Sequence, residues 1–351
     1  MDDTGLPSPA LVVDVAAFEA NLAAADELLR GSSKRLRPHV KTHRTPALAL
    51  RQLTAASAGL TCATVGEAET MVAAGADDVL VANEVIGPGK LARLAALARR
   101  ARVCVAVDSA EGVRALGTAA RDGGAEVLVL IDLDVGLGRC GVAGPEQAVE
   151  LARVVERTPG LSLEGIMGYE GRVRAGRADR SRTIARAYET LARTREAFDR
   201  AGLAVATVSS AGTSTLREAL ADPTITEIQA GTYALMEADL DGLELPFVAA
   251  CSVVATVISR TAERAVLDVG RKSIACDYGP PTPLLAGVTL DSIHEEHTTL
   301  GCRGAAPSLG QRIELRPGHV RLTFNLHDFV WLARDDGSLE RAAVRARGRS
   351  W

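Results

Sequence analysis

Apolar positions fall into two regimes along the chain. Up to about residue 245, short near-continuous apolar runs alternate with longer segments rich in Ala, Leu, Glu and Arg. The runs are 36–43, 60–65, 78–83, 102–108, 126–134, 162–169, 204–210 and 226–231. Unbroken apolar character, rather than strict alternation, is what a parallel strand covered on both faces requires. Ala-Gly or Gly-Ala steps, as at Ala74-Gly75-Ala76 and Ala201-Gly202, mark several ends of the intervening helical segments, where a C-cap glycine belongs. Eight strand–helix units over roughly 200 residues predict a (β/α)8 barrel of the TIM type. An open doubly wound sheet, which normally has fewer strands, is the competing reading.

Residues 10–14 read as a strand and 15–30 as a helix ahead of the barrel. From about Phe247 the pattern changes: 247–260, 264–269, 287–294, 311–315 and 323–332 are strand-like, with Gly/Pro turns between them and a rigid loop at 277–283. The expectation is an α/β chain with a barrel over 15–245, then a mostly β domain over 246–351 that the N-terminal strand 8–14 joins.

Composition narrows the function. The chain has 351 residues, 47% hydrophobic, enough for two cores. A net charge of −4 and 3% aromatics supply neither a basic footprint nor a stacking platform for nucleic acid. No apolar run approaches the ~20 residues of a membrane span, and residues 1–7 carry no basic-then-apolar signal. Six scattered cysteines without a Cys-x-x-Cys pair read as reduced thiols of a cytoplasmic protein.

Barrels place chemistry at the C-terminal ends of their strands. Only four of the 40 basic residues other than histidine are lysines, and Lys41 alone is flanked by histidines, in Arg37-Pro38-His39-Val40-Lys41-Thr42-His43. On a strand, His39, Lys41 and His43 project to one side. A lysine amine that is desolvated or set beside other cations can form a Schiff base with an aldehyde cofactor. After strands seven and eight lie Ser210-Ala211-Gly212-Thr213-Ser214 and Ala230-Gly231-Thr232-Tyr233. Their glycines, amides and hydroxyls suit a phosphate. Arg139, in a Gly-rich loop, reads either as a ligand to a cofactor ring oxygen or as the partner of Asp132 or Asp134. Tyr169, at the end of strand six, reads either as a ring-lining residue or as a core tyrosine. The six histidines form two groups, His39 and His43, then His294, His297, His319 and His327. His294-Glu295-Glu296-His297 lacks the zinc-protease spacing. Read as a strand, it puts Glu295 and His297 on one face, and a strand entry at 316–323 puts His319 and Arg321 on one face.

Arg-Pro-His-x-Lys-Thr-His, Gly-x-Gly-Arg-x-Gly, Gly-Thr-Tyr, and Glu-Glu-His followed by Pro-x-His resemble the D-threonine aldolase/D-serine dehydratase group over nearly the whole chain. These are pyridoxal-phosphate enzymes of the alanine racemase-like fold. The resemblance implies a homodimer whose second subunit helps complete each site, with Lys41 carrying the Schiff base and Arg139 contacting the ring hydroxyl. It also implies that Tyr169 lines the ring and that Gly212, Thr213, Gly231 and Thr232 hold the phosphate. Members typically bind a divalent metal through a His-x-Cys or His-x-Asp pair in the tail, which here reads His319-Val320-Arg321. The reaction implied is Cα–Cβ cleavage of a β-hydroxy-α-amino acid of D configuration to glycine and an aldehyde. Candidate bases are His39, His297 and His319, and Arg321 stands in for the metal's charge. Dehydration or racemisation on the same cofactor, and cofactor binding without catalysis, are the alternative readings.

Overall fold

The computed structural model describes residues 5–171 and 173–351. Met1–Thr4, part of the stretch read for a targeting signal, and Arg172 lie outside the described residues. The chain begins with β1 (Ala10–Asp14) and α1 (Val15–Leu29). Strands and helices then alternate through β2 (Arg35–Leu36), α2 (Pro46–Arg51), β3 (Leu60–Cys62), α3 (Val65–Ala73), β4 (Asp78–Glu84), α4 (Pro88–Ala98), β5 (Arg102–Val107) and α5 (Ala110–Asp122). The alternation continues through β6 (Val127–Leu133), α6 (Pro145–Glu156), β7 (Leu161–Gly168), α7 (Arg180–Ala201), β8 (Thr207–Ser210), α8 (Leu216–Ala221) and β9 (Glu227–Ile228).

Strands β2 to β9 form one parallel sheet in the order β2-β9-β8-β7-β6-β5-β4-β3. Its two ends meet where Leu36 bridges Ser57 and His39 bridges Thr61, both parallel. The Ala58 amide donates to Leu36 at 2.7 Å and the Thr61 amide to Pro38 at 2.8 Å. The expected eightfold barrel is therefore the observed architecture, and the open sheet is not. Inside it, Leu80, Cys104, Ala106, Leu130 and Met167 pack together from β4 to β7.

Local chemistry explains the helix starts. Thr64 accepts the Glu67 amide at 3.1 Å while the Glu67 carboxylate accepts the Ala63 amide at 2.6 Å, a reciprocal cap on α3. Ser109 caps α5, and prolines open α4 and α6. Gly165 in β7 has φ +153°, and a Cβ there would strike the Thr207 carbonyl of the adjoining strand.

The second sheet comprises β10 (Cys251–Arg260), β11 (Arg264–Leu267), β12 (Thr282–Pro283), β13 (Val288–Ile293), β14 (Thr298–Cys302), β15 (Arg312–Arg316), β16 (Phe329–Ala333) and β17 (Leu339–Ala343). It also takes in β1, as expected: Ala10 is opposite Val254 of antiparallel β10, and Val12 opposite Trp331 of parallel β16. One expected strand is wrong. The first half of 323–332 is the helix α9 (Val320–Leu326), because the Thr323 amide and hydroxyl both return to the His319 carbonyl, at 3.1 and 2.8 Å.

The chain divides into two compact units. A β unit comprises the N-terminal stretch to Ala24, Thr42–Ala47 and Thr232–Arg347; a barrel unit comprises Ala25–Lys41, Leu48–Gly231 and Gly348–Trp351. The later junction is at Gly231/Thr232, where the sequence pattern placed the change near residue 245. Among the described residues, no helix is long and apolar enough to cross a membrane.

Candidate active site

Parallel strands bring all their C-terminal ends to one end of the barrel. The Lys41 segment reaches that end differently from the expected strand 36–43. Regular pairing stops at Leu36, and Val40–Thr42 is a 3-10 turn. Pro38 has no N–H for the ladder, so beyond it only single contacts remain, such as His39 N–H to Ala230 O at 3.2 Å. His39 and Lys41 therefore do not alternate along a strand. Instead the His39 ring folds under its own turn, and Nδ1 accepts the Lys41 amide at 3.5 Å.

The Lys41 ammonium lies 5.6 Å from the centroid of the Tyr169 ring, and the Arg139 guanidinium 6.0 Å from the same centroid. A Cβ on Gly212 would stand 3.5 Å from the same ring, an ordinary contact distance. Two cations, one aromatic ring and a glycine turn thus converge, each from a different strand end. The other lysines are employed elsewhere. Lys34 is buried and donates to the Asp222 and Ile225 carbonyls, Lys272 pairs with Glu295 and Glu296, and Lys90 is exposed.

The loop presenting Arg139 is held by Asp134, which accepts the Gly136 and Gly138 amides at 2.9 and 3.0 Å. Those bonds hold its carboxyl below the usual range. The turn after β8 is held by a residue the sequence reading passed over. Glu170 is buried and accepts the Thr215 hydroxyl, while Ser210 Oγ lies 2.7 Å from Gly168 O and 3.3 Å from Glu170. Burial pushes the Glu170 carboxyl up against those hydrogen bonds. Thr213 opens a 3-10 turn, Thr213–Thr215, in which the Gly212 amide donates to Thr215 Oγ1 at 3.2 Å. Gly231 and Thr232 are buried, and Thr232 opens the 3-10 turn Thr232–Ala234. Tyr233 is a core ring, 1% exposed, packed 5.5 Å from Phe247.

Also at the strand ends, Glu84, Asp108 and Cys140 bring possible ligand atoms within 4.8 Å of one another. Asp132 faces Glu84, and burial first, then that carboxyl, push it up to about 8. Burial and Glu84 also push the Cys140 thiol up to about 11, so a thiol rather than a thiolate meets these acids. From sequence only Asp132 was given a role, as an alternative partner of Arg139; Glu84, Asp108 and Cys140 were given none, although all four stand at strand ends or in the loops behind them.

In the β unit the histidines separate. His297 is exposed in the turn between β13 and β14, closed by the His294 amide donating to His297 O at 2.8 Å, so 294–297 is not the strand expected. His319 is buried and caps α9 rather than entering a strand. Its ring stacks on Tyr278, centroids 4.1 Å apart at 21°, and Nδ1 is 3.6 Å from the Asp277 carboxylate. The Arg321 guanidinium lies 5.3 Å from the Tyr278 ring and pairs with the buried Glu237 at 3.4 and 3.5 Å. His327 Nε2 meets Ser273 O at 2.7 Å, and burial lowers its pKa. His43 is fully buried, edge-on to Phe324.

Residues 13–239 match the alanine racemase N-terminal domain family, and residues 250–333 a D-serine dehydratase-like domain. The chain is 38% identical to a D-threonine aldolase of Arthrobacter sp, over 98% of this chain and 93% of that one. The crystal structure of D-threonine aldolase from Filomicrobium marinum superposes with a TM-score of 0.94 at 38% identity, covering 99% and 97% of the two chains. D-threo-3-hydroxyaspartate dehydratase from Delftia sp. HT23 gives 0.85 at 27% identity, covering 99% and 98%. A cysteine mutant of the dehydratase has been solved in the metal-free form.

Proposed function

Because the chain belongs to the alanine racemase N-terminal domain family, we propose that it is a pyridoxal-phosphate-dependent carbon–carbon lyase. Its substrate is a small D-configured β-hydroxy-α-amino acid of the D-threonine type, cleaved to glycine and an aldehyde. The observation that carries the reading is the placement of Lys41 and Arg139 around the ring of Tyr169, beside the Gly212 turn.

These residues fit pyridoxal phosphate. Its aldehyde needs an amine and its ring a flat apolar wall. Its phosphate needs close backbone approach with hydroxyls. Lys41, Tyr169 and the Ser210–Thr213 and Gly231–Tyr233 stretches offer these in turn. When bound, the cofactor supplies an electron sink for the pair released by the broken Cα–Cβ bond. Lys41 would hold it through its amine, and Arg139 would orient the ring oxygen.

Cleavage needs a base at the β-hydroxyl. A neutral His39 that accepts the Lys41 amide at Nδ1 carries its proton on Nε2 and keeps no lone pair, so it positions the turn. Within the β unit, His319 has the surroundings of a base. Asp277 facing Nδ1 favours a proton there and leaves Nε2 to take one. His297 lies on an exposed turn between β13 and β14. The likeness to a hydroxyaspartate dehydratase keeps elimination as the second reading.

Incubation of the cofactor-loaded protein with D-threonine decides among them. Glycine with acetaldehyde supports cleavage, a keto acid with ammonia supports elimination, and an epimer supports racemisation. A loaded protein inert to every β-hydroxy-α-amino acid of either configuration overturns the lyase reading.

A further inference from the structure

The β unit carries one residue whose chemistry contradicts the position it holds. In the group this chain resembles, the tail pair His-x-Cys or His-x-Asp takes a divalent ion; here the pair is His319 and Arg321. A ligand must offer a lone pair, and a guanidinium offers only N–H donors. Nor is Arg321 turned away into solvent. Its side chain is only 16% exposed, and Nε and Nη2 face the two oxygens of Glu237, itself wholly buried. The Arg321 carbonyl accepts Nη1 of Arg44 at 2.9 Å, so the main chain is tied as well. The guanidinium rests on the Tyr278 ring, and that ring stacks on His319. A cation is thus fixed within one aromatic ring of the imidazole that would be the other ligand. The donor set does not fit a divalent ion: one ligand has become a charge that repels it.

We infer that Arg321, clamped by Glu237 and backed by the Tyr278–His319 stack, replaces the divalent ion of the tail site with a permanent positive charge, making this chain a metal-independent member of its family. The inference deepens the lyase reading and rests on it for what that charge serves. The clamp matters because Glu237 is a buried carboxylate and Arg321 supplies a counter-charge beside it. A guanidinium stays protonated across the working pH range, so the charge does not depend on metal supply or on ligand ionisation.

The test is metal content, which does not depend on activity. Wild-type holoenzyme, H319A, R321D and R321D/H319A are chelated, re-exposed to Mn2+, desalted and assayed by elemental mass spectrometry. Wild type and H319A are expected to carry the same content, whereas R321D gains about one ion per chain, lost again in R321D/H319A. An ion on wild type that H319A removes overturns the inference, and so does an R321D protein that gains none. R321D takes one cation away from the buried Glu237; should it fail to fold, R321D/E237Q carries the same comparison. Chelation is expected to leave wild-type turnover of D-threonine within about twofold. A loss of about tenfold or more, restored by Mn2+, overturns the inference. An inactive wild type counts against the lyase reading, while its metal content still decides this one.

Discussion

The two ends of the barrel use the same residue types in opposite ways. At the opening residues of β4, β5 and β9, charges close on each other. Arg37 sits between Glu227 at 2.7 Å and Asp78 at 2.5 Å, and Arg102 bridges Asp78 and Glu164, both at 2.9 Å. Ser209 and Gln229 complete the network, with Ser209 Oγ donating to Glu227 at 2.7 Å and Gln229 to Ser209 at 2.9 Å. At the strand ends, charges face a shared ring or one another. Lys41 and Arg139 lie against Tyr169, and Glu84 and Asp132 confront each other at the cost of a raised carboxyl. Arg37 and Lys41 are four residues apart in one heptapeptide, yet they serve different ends. A satisfied charge holds the barrel together, whereas a charge held against a cofactor-sized aromatic wall is available for chemistry.

The comparison can be broken from either side. Replacing Lys41 with alanine removes the only lysine at the strand ends. It is expected to cut turnover by about four orders of magnitude, the scale of losing a covalent catalytic group, with little change in thermal midpoint by calorimetry. Arg37→Ala is the mirror case. It leaves Glu227 buried without its cationic partner and should cost about 3–5 kcal/mol in denaturant unfolding. The remaining folded fraction should still attach cofactor at Lys41. A variant that loses attachment without losing stability would contradict the division of labour.

Asp132 sharpens the contrast through pH. Its folded-state pKa is raised from 3.8 to about 8, so between those values the folded protein holds a proton that the unfolded chain has released. Its contribution is thus fully present below 3.8 and is lost as pH rises through about 8. D132N should flatten that decline in a series of unfolding curves; an unchanged slope would mean that the proton resides elsewhere. The smallest effect belongs to Arg139. It is exposed, and its contact with Tyr169 is worth about 0.5–1 kcal/mol. R139A should weaken cofactor binding by only a few-fold in a titration followed by absorbance.

The strand ends were more legible in the sequence than the strand starts, for a physical reason. Lys41, Arg139, Tyr169 and Gly212 each follow an apolar run, so the barrel rule locates them without any knowledge of contacts. The partners of Arg37 lie 41 and 190 residues away, and no local pattern announces them. Glu170 was missed because a carboxylate after Tyr169 reads as a surface charge until its burial is seen. The strand drawn through 36–43 failed at Pro38, where the ladder loses a donor. The strand through 323–332 failed because a threonine back-bonding to His319 starts a helix that composition alone does not reveal. His319 and Arg321 were singled out as a pair, but the strand drawn for them is the start of α9, and their shared surroundings, Tyr278 and Glu237, lie 41 to 84 residues earlier in the chain.

The central claim is that Lys41, and no other lysine, holds the cofactor. Its most direct test is borohydride reduction of the pyridoxal-phosphate-loaded protein followed by peptide mapping. A single modified peptide carrying the added mass on Lys41 is the expected result. Modification of Lys34, Lys90 or Lys272 instead, or a protein that takes up no cofactor at all, would contradict it.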